Sequence, residues 1–186
     1  MLEEIIIDAD LCIKLGCSDK YHLLLEVLPL IAKNIYMHSH TYGEVMSPAS
    51  AQRQLERLIT QGTVIVVNET ELEPRDRAVY DMAYRKLADV MIDPARPKKN
   101  MGEACSLAYA KVKSIPLFAT DECDLQPIVD IILNTGIDDI HCLRIVDIVS
   151  MARNNEIDLP RKIAKLLWVI SGKNRNDFDI DVWPIG

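Results

Sequence analysis

The sequence predicts an α/β domain with a mainly parallel central sheet between helical layers. Three observations predict it. Short apolar runs recur along the chain: Ile5-Ile6-Ile7, Ile35-Tyr36-Met37-His38, Val64-Ile65-Val66-Val67, Leu117-Phe118-Ala119 and Ile140-His141-Cys142-Leu143. Longer stretches of helical character separate them, and strands alternating with helices favour parallel pairing through crossovers. The 186 residues, 49% hydrophobic and 26% charged, suffice for one domain with a real core and are too apolar for a disordered chain.

Taken in order, Glu4 to Asp8 reads as a short buried strand, a β-branched run that ends on an acid. Residues 10–16 form a short helix that stops near Gly16. Lys20 to Asn34 is strongly apolar and helical, with Pro29 expected to kink or split it. After the strand Ile35–His38, helices follow near Ser39–Met46 and from Ser47-Pro48 to Gln61, with Ser47 as N-cap and Pro48 in the first turn. Val64–Val67 is the next strand, and Glu73 to Met91 a long amphipathic helix. Residues 93–100 make a polar, proline-punctuated loop. Gly102 to Lys113 is helical, Leu117–Ala119 a strand, Leu125 to Asn134 a helix, Ile140–Leu143 the last strand and Ile145–Arg153 a helix. A boundary near Asn154–Pro160 divides residues 1–154 from a C-terminal extension, 155–186. The extension holds a helix over Leu159–Ile170 and a tail, and Trp168 and Trp183 suit docking on the domain or on a second subunit.

No apolar run reaches the ~20 residues that span a bilayer, and the start, Met1-Leu2-Glu3-Glu4, lacks a basic signal region. A cytoplasmic protein is expected. The five cysteines include no CxxC pair, which argues against a disulfide framework or a zinc knuckle. The net charge of −7 argues against binding nucleic acid through bulk basicity.

Four carboxylates stand beside strand-like runs or open a helix: Asp8, Glu44, Glu103 and Asp121. In open parallel sheets, sites form outside the carboxyl ends of strands, where Asp8 and Asp121 fall. Glu103 lies in the first turn of its helix, where the dipole favours an anion. Two unit charges 4 Å apart repel by roughly 4 kcal/mol at an effective dielectric of 20. A hard divalent cation relieves such repulsion, and Mg²⁺ or Mn²⁺ favours carboxylate oxygen. Asp124, three residues beyond Asp121, could serve a second metal or cap the following helix. Asp10, Lys14, Thr120 and the basic loop residues Arg96, Lys98 and Lys99 are candidate substrate contacts.

The order and context of these acids resemble the PIN-domain ribonucleases, including the VapC-type toxins. Ile5-Ile6-Ile7-Asp8-Ala9-Asp10-Leu11 is similar to the family's first strand, Gly102-Glu103-Ala104 to the helix bearing its third acid, and Pro116 to Asp121 to the strand bearing its fourth. Glu44 matches the acid after the second strand, and the match spans roughly residues 3–150. Asp10 stands where the family more often has Asn, Ser or Thr, and Glu103 where the toxins often have Asp. The resemblance implies a PIN-like three-layer α/β/α fold and metal-dependent hydrolysis of RNA, with Asp8, Glu103 and Asp121 as ligands and Glu44 holding a metal water. It also implies RNA as substrate, a homodimer, and a toxin restrained by an antitoxin.

Two other readings stay open. Ile7-Asp8-Ala9-Asp10 also fits the nucleophile motif of haloacid-dehalogenase-like phosphatases, with Asp8 attacking phosphorus and Asp10 as general acid. That reading leaves Gly102-Glu103-Ala104 unexplained. A PIN-like module that binds without cleaving is the third.

Overall fold

The structure is a computed structural model and describes residues 1–184. Its centre is a five-stranded sheet, β1 (Leu2–Ile7), β2 (Ala32–His38), β3 (Val64–Val67), β4 (Leu117–Ala119) and β5 (His141–Leu143), ordered β3-β2-β1-β4-β5. All four pairings are parallel, with Ile5 opposite Ile35, Ile6 opposite Phe118, Ile35 opposite Val64 and Phe118 opposite Cys142. Successive side chains of a strand point to opposite faces. In β1, Ile5 and Ile7 accordingly enter one core and Ile6 the other, and all three are wholly buried.

Those two cores define the layers. On the first face lie α1 (Ala9–Gly16), α2 (Leu23–Ile31), α4 (Ala49–Thr60), α8 (Ile145–Arg153) and α9 (Arg161–Ile170). On the second lie α5 (Pro74–Met91), α6 (Met101–Lys113) and α7 (Leu125–Ile132). The short α3 (Ser39–Glu44) reaches α6 through Thr41, whose hydroxyl donates to the Gly102 carbonyl at 3.2 Å and lies 2.9 Å from Ser106 Oγ. The architecture is thus three-layered α/β/α with an all-parallel sheet. Among the described residues no helix is long and apolar enough to cross a membrane.

Two local expectations are corrected. The helix expected over Lys20–Asn34 is shorter, because Ala32, Lys33 and Asn34 open β2 instead. Their pairing with β1 decides this: Leu2 lies opposite Ala32 and Glu4 opposite Asn34, while Lys33 Nζ reaches Glu3 Oε1 at 2.6 Å. Pro29 therefore sits in the last turn of α2 rather than splitting a longer helix. Ser47 does not cap α4. Pro48, joined to Ser47 by a cis peptide, has extended backbone and occupies the N-cap itself, its carbonyl accepting from Ala51 N–H at 2.9 Å.

Close packing of α1 on α4 depends on Gly16. A Cβ there would stand 2.5 Å from Ala51 Cα and 2.6 Å from Ala51 Cβ, and neither atom can swing away. The Gly16 carbonyl also accepts from Ser50 Oγ at 2.7 Å. Gly16→Ala is expected to cost about 1–3 kcal/mol through overpacking, a fall of several °C in melting temperature. A thermal melt unchanged from wild type would contradict this packing.

Residues 155–184 pack on the first core of the same chain. Ala164, Leu167 and Phe178 are wholly buried in it, with Trp168 and Trp183 partly buried beside them. The tail is tied back through Arg161, which donates to Asp179 Oδ1 and to the Trp183 carbonyl, both at 2.6 Å.

Candidate active site

The sheet order creates a crevice. From β1 the chain leaves into α1 on the first face, and from the neighbouring β4 it leads into α7 on the second. Where adjacent parallel strands send their chains to opposite faces, the carboxyl ends are left uncovered. Asp8 follows β1 directly and Asp121 lies two residues beyond β4.

Asp8 is 1% exposed and is the N-cap of α1, with extended backbone. Its Oδ1 accepts from the Ala9 amide at 2.7 Å and its Oδ2 from the Thr120 hydroxyl at 3.1 Å. Burial pushes its pKa up to about 8, the Glu103 charge adds to this, and the two hydrogen bonds act against it. Thr120 is itself fixed by the Glu122 amide, which donates to its Oγ at 3.3 Å. The predicted strand-end threonine thus orients the first acid.

Glu44 and Glu103 meet at the start of α6. The helix opens after Asn100, whose left-handed backbone (φ 61°) provides no side-chain cap. The Glu44 carboxylate comes to this uncapped turn. A Cβ on Gly102 would lie 2.8 Å from Glu44 Oε1 and 3.0 Å from its Oε2, so only glycine leaves it room. Burial raises the Glu44 pKa, while the Gly102 amide and His40 oppose the rise. Burial also raises that of Glu103; a hydrogen bond from its own amide opposes this, and Glu44, Glu122 and Asp10 add to it. Glu103 Oε2 is buried without a hydrogen-bond partner.

Asp121 differs from the other acids in having a cation. Lys14 Nζ lies 2.9 Å from Asp121 Oδ2 and 2.8 Å from Asp10 Oδ2. Asp121 Oδ1 accepts from the Ile145 amide at 3.3 Å. Burial disfavours the ammonium, but hydrogen bonds to Asp10 and Asp121 outweigh it and raise the Lys14 pKa.

Of the residues expected from sequence, Asp8, Asp10, Lys14, Glu44, Glu103, Thr120 and Asp121 are drawn together at this edge through these contacts and charge interactions. Asp124 is not brought in: it is exposed at the N-cap position of α7, with no side-chain capping bond. Its neighbour Glu122 is the acid whose charge reaches Glu103. Lys98 and Lys99 are exposed in a loop folded on itself, where Asp93 accepts from the Ala95 amide and pairs with Arg96. Two residues were missed. Glu122 continues the run Thr120-Asp121-Glu122, and Arg144 directly follows the last predicted strand; both positions signal the same sheet edge. Arg144 donates to Cys123 Sγ at 2.9 Å, its Nε is buried without a partner, and the next amide holds Asp121.

His38, on the same side of the sheet, is structural. Its Nδ1 accepts from the His40 amide at 3.3 Å, its Nε2 faces Glu69 Oε2 at 3.2 Å, and burial lowers its pKa to about 4. The Nε2 and the facing Glu69 Oε2 are both buried without a well-formed hydrogen bond.

Among the described residues, no three His, Cys, Asp or Glu side chains are gathered so that they could hold a metal ion as they stand. The chemistry of the donors still fits a hard cation. Asp8 and Glu103 are carboxylates whose burial favours the protonated form, and Glu103 presents an unsatisfied buried oxygen. No protein-family model matches the chain, and no curated protein or solved structure matches it.

Proposed function

We propose that this chain is a Mg²⁺- or Mn²⁺-dependent ribonuclease of the PIN type, hydrolysing RNA phosphodiester bonds at the carboxyl edge of the sheet. One observation carries the reading: among the described residues, the buried Asp8 and the half-buried Glu103 have no lysine or arginine beside them at the carboxyl edge of the sheet, and the Glu44 carboxylate comes to the helix turn that bears Glu103. Acids whose pKa values are raised in this way, set in a crevice, cluster at functional sites. Asp8 and Glu103 would hold the cation, with Glu44 beside them. When bound, it supplies a water of lowered pKa and offsets charge on the phosphate.

The chain's own residues provide the remainder. Thr120 and the Ala9 amide fix both oxygens of Asp8, so the carboxylate is oriented before any ligand arrives. Arg144, a partly exposed guanidinium just beyond β5 and next to the residue that holds Asp121, is suited to pair with a phosphate oxygen. The phosphatase reading has less support, because Asp10, its general acid, is held by Lys14 at 2.8 Å.

The test is incubation of a mixed RNA pool with protein freed of copurified partners, in Mn²⁺, in Mg²⁺ and in EDTA. Cleavage is expected with either metal and none with EDTA. Cleavage that persists in EDTA, or none in any condition, would overturn the proposal. Gly102→Ala provides a finer probe. The added methyl meets the free end of the Glu44 side chain, which can rotate away. The expected result is a melting temperature within a few °C of wild type and a cleavage rate lower by about tenfold or more, as expected when a supporting group at a metal site is displaced.

A further inference from the structure

We propose that Lys14 stands where a second divalent cation would otherwise sit, so that the chain takes one Mg²⁺ or Mn²⁺ on the Asp8–Glu103 side and holds Asp10 and Asp121 with its own ammonium. The proposal rests on the nuclease reading and specifies how its site is charged.

The contacts divide the acids into two groups. On one side, Lys14 Nζ bridges Asp10 Oδ2 at 2.8 Å and Asp121 Oδ2 at 2.9 Å. The spacing of Asp10 and Lys14, one helical turn apart on α1, puts them on one face of the helix. The remaining oxygen of Asp121 accepts from the Ile145 amide, so both oxygens of this 6%-exposed acid are engaged. On the other side, Glu103 Oε2 is buried with no partner, and the Glu44 carboxylate lies against Gly102 with no lysine or arginine paired to it among the described residues. Among the described residues, the acids of the site without a lysine or arginine partner are therefore Asp8, Glu103 and Glu44.

A lysine ammonium is a compact charge with three donors. At these distances it occupies the space between Asp10 and Asp121, and it repels a divalent cation from that space. Asp121 then acts as a positioning residue, linking α1 to the start of α8 rather than serving as a metal ligand.

The experiment counts Mn²⁺ bound per full-length chain, from the electron paramagnetic resonance signal of the free ion, at neutral pH. The proteins are wild type, Asp8→Asn, Lys14→Arg and Lys14→Met, each shown folded by its circular dichroism melt. One Mn²⁺ is expected in wild type and in Lys14→Arg, and none in Asp8→Asn. Two are expected in Lys14→Met, the second bound about tenfold or more tighter than any second ion in wild type. Two ions of comparable affinity in wild type would overturn this inference and leave the nuclease reading standing. One ion, or none, in Lys14→Met beside one in wild type would do the same. No Mn²⁺ on any of the four proteins would overturn both.

Discussion

Replacing Asp8 with asparagine is expected to abolish RNA cleavage and, in metal-free protein at mildly alkaline pH, to raise the melting temperature. The two effects have one cause. Asp8 is 1% exposed, and burial with the nearby Glu103 pushes its pKa from 3.8 up to about 8. In the unfolded chain the carboxyl ionises above its ordinary value, while the folded protein retains the proton until about pH 8. Between those limits the native state binds more protons than the unfolded state, so its stability falls as pH rises. The contribution is fully present below about pH 4 and lost above about pH 8. Asparagine is isosteric and neutral. Its oxygen can accept from the Ala9 amide, and its NH₂ can donate to Thr120, whose hydroxyl turns round to accept.

The difference in melting temperature between Asp8→Asn and wild type should therefore be near zero in acid and widen up to about pH 8. There it should reach a few kcal/mol, or on the order of 10 °C. Comparing the two proteins at each pH cancels groups they share, including His38, whose lowered pKa acts in the opposite sense. Saturating Mn²⁺ should reverse the order. At one hundred times its dissociation constant a ligand stabilises by roughly 2.7 kcal/mol, and the variant lacks one of the two acids proposed to hold it. Cleavage should fall by on the order of 10³-fold or more, since several kcal/mol of charge stabilisation is lost. A variant destabilised equally at all pH values would show Asp8 to be an ordinary capping residue.

Much of this was legible in the sequence, for physical reasons that particular residues make clear. Ile5-Ile6-Ile7 and Val64–Val67 are strands because β-branched side chains suit a buried pleat, and Asp8 and Asp121 fall just past strand ends, where an acid can cap a helix or serve a site. Ala32-Lys33-Asn34 carries no such signal. Those residues are strand only because β1 lies opposite them, a tertiary fact. The four acids were visible as a set, but their compensation was not. Lys14 meets Asp121 across 107 residues of chain, and that pairing divides one acid cluster into a matched and an unmatched part. Asp124 and Glu122 show the same limit at short range. Both follow Asp121, and the hydrogen bond from the Glu122 amide to Thr120 fixes the turn in which Glu122, not Asp124, faces Glu103.

Phe178→Ala should destabilise the fold more than Gly16→Ala does, although Phe178 lies in a tail that the sequence marks as an extension. The ring is wholly buried in the first core, together with Leu167 and Ile148. Trp168 and Trp183 flank it at 6.4 and 6.2 Å, tilted rather than parallel, a favourable arrangement for aromatic rings. The Arg161 guanidinium and the Lys165 ammonium lie 5.2 and 5.9 Å from the ring centroid, and Asp179 holds both cations. Removing a buried phenylalanine costs about 3–5 kcal/mol, which for a chain of this size is on the order of 10 °C in melting temperature. The form of the transition carries as much information as its size. If residues 155–184 belong to the same cooperative unit as the sheet, the whole transition shifts and remains single. If the extension only rests on a domain complete at residue 154, the main transition stays in place and hydrogen exchange speeds up in the tail alone. The structure favours the first outcome, because α8 and α9 share one core with the sheet and Phe178 closes it. Phe178 packs among core side chains and not among the acids of the crevice, so RNA cleavage well below the melting temperature should survive a substitution that weakens the fold this much.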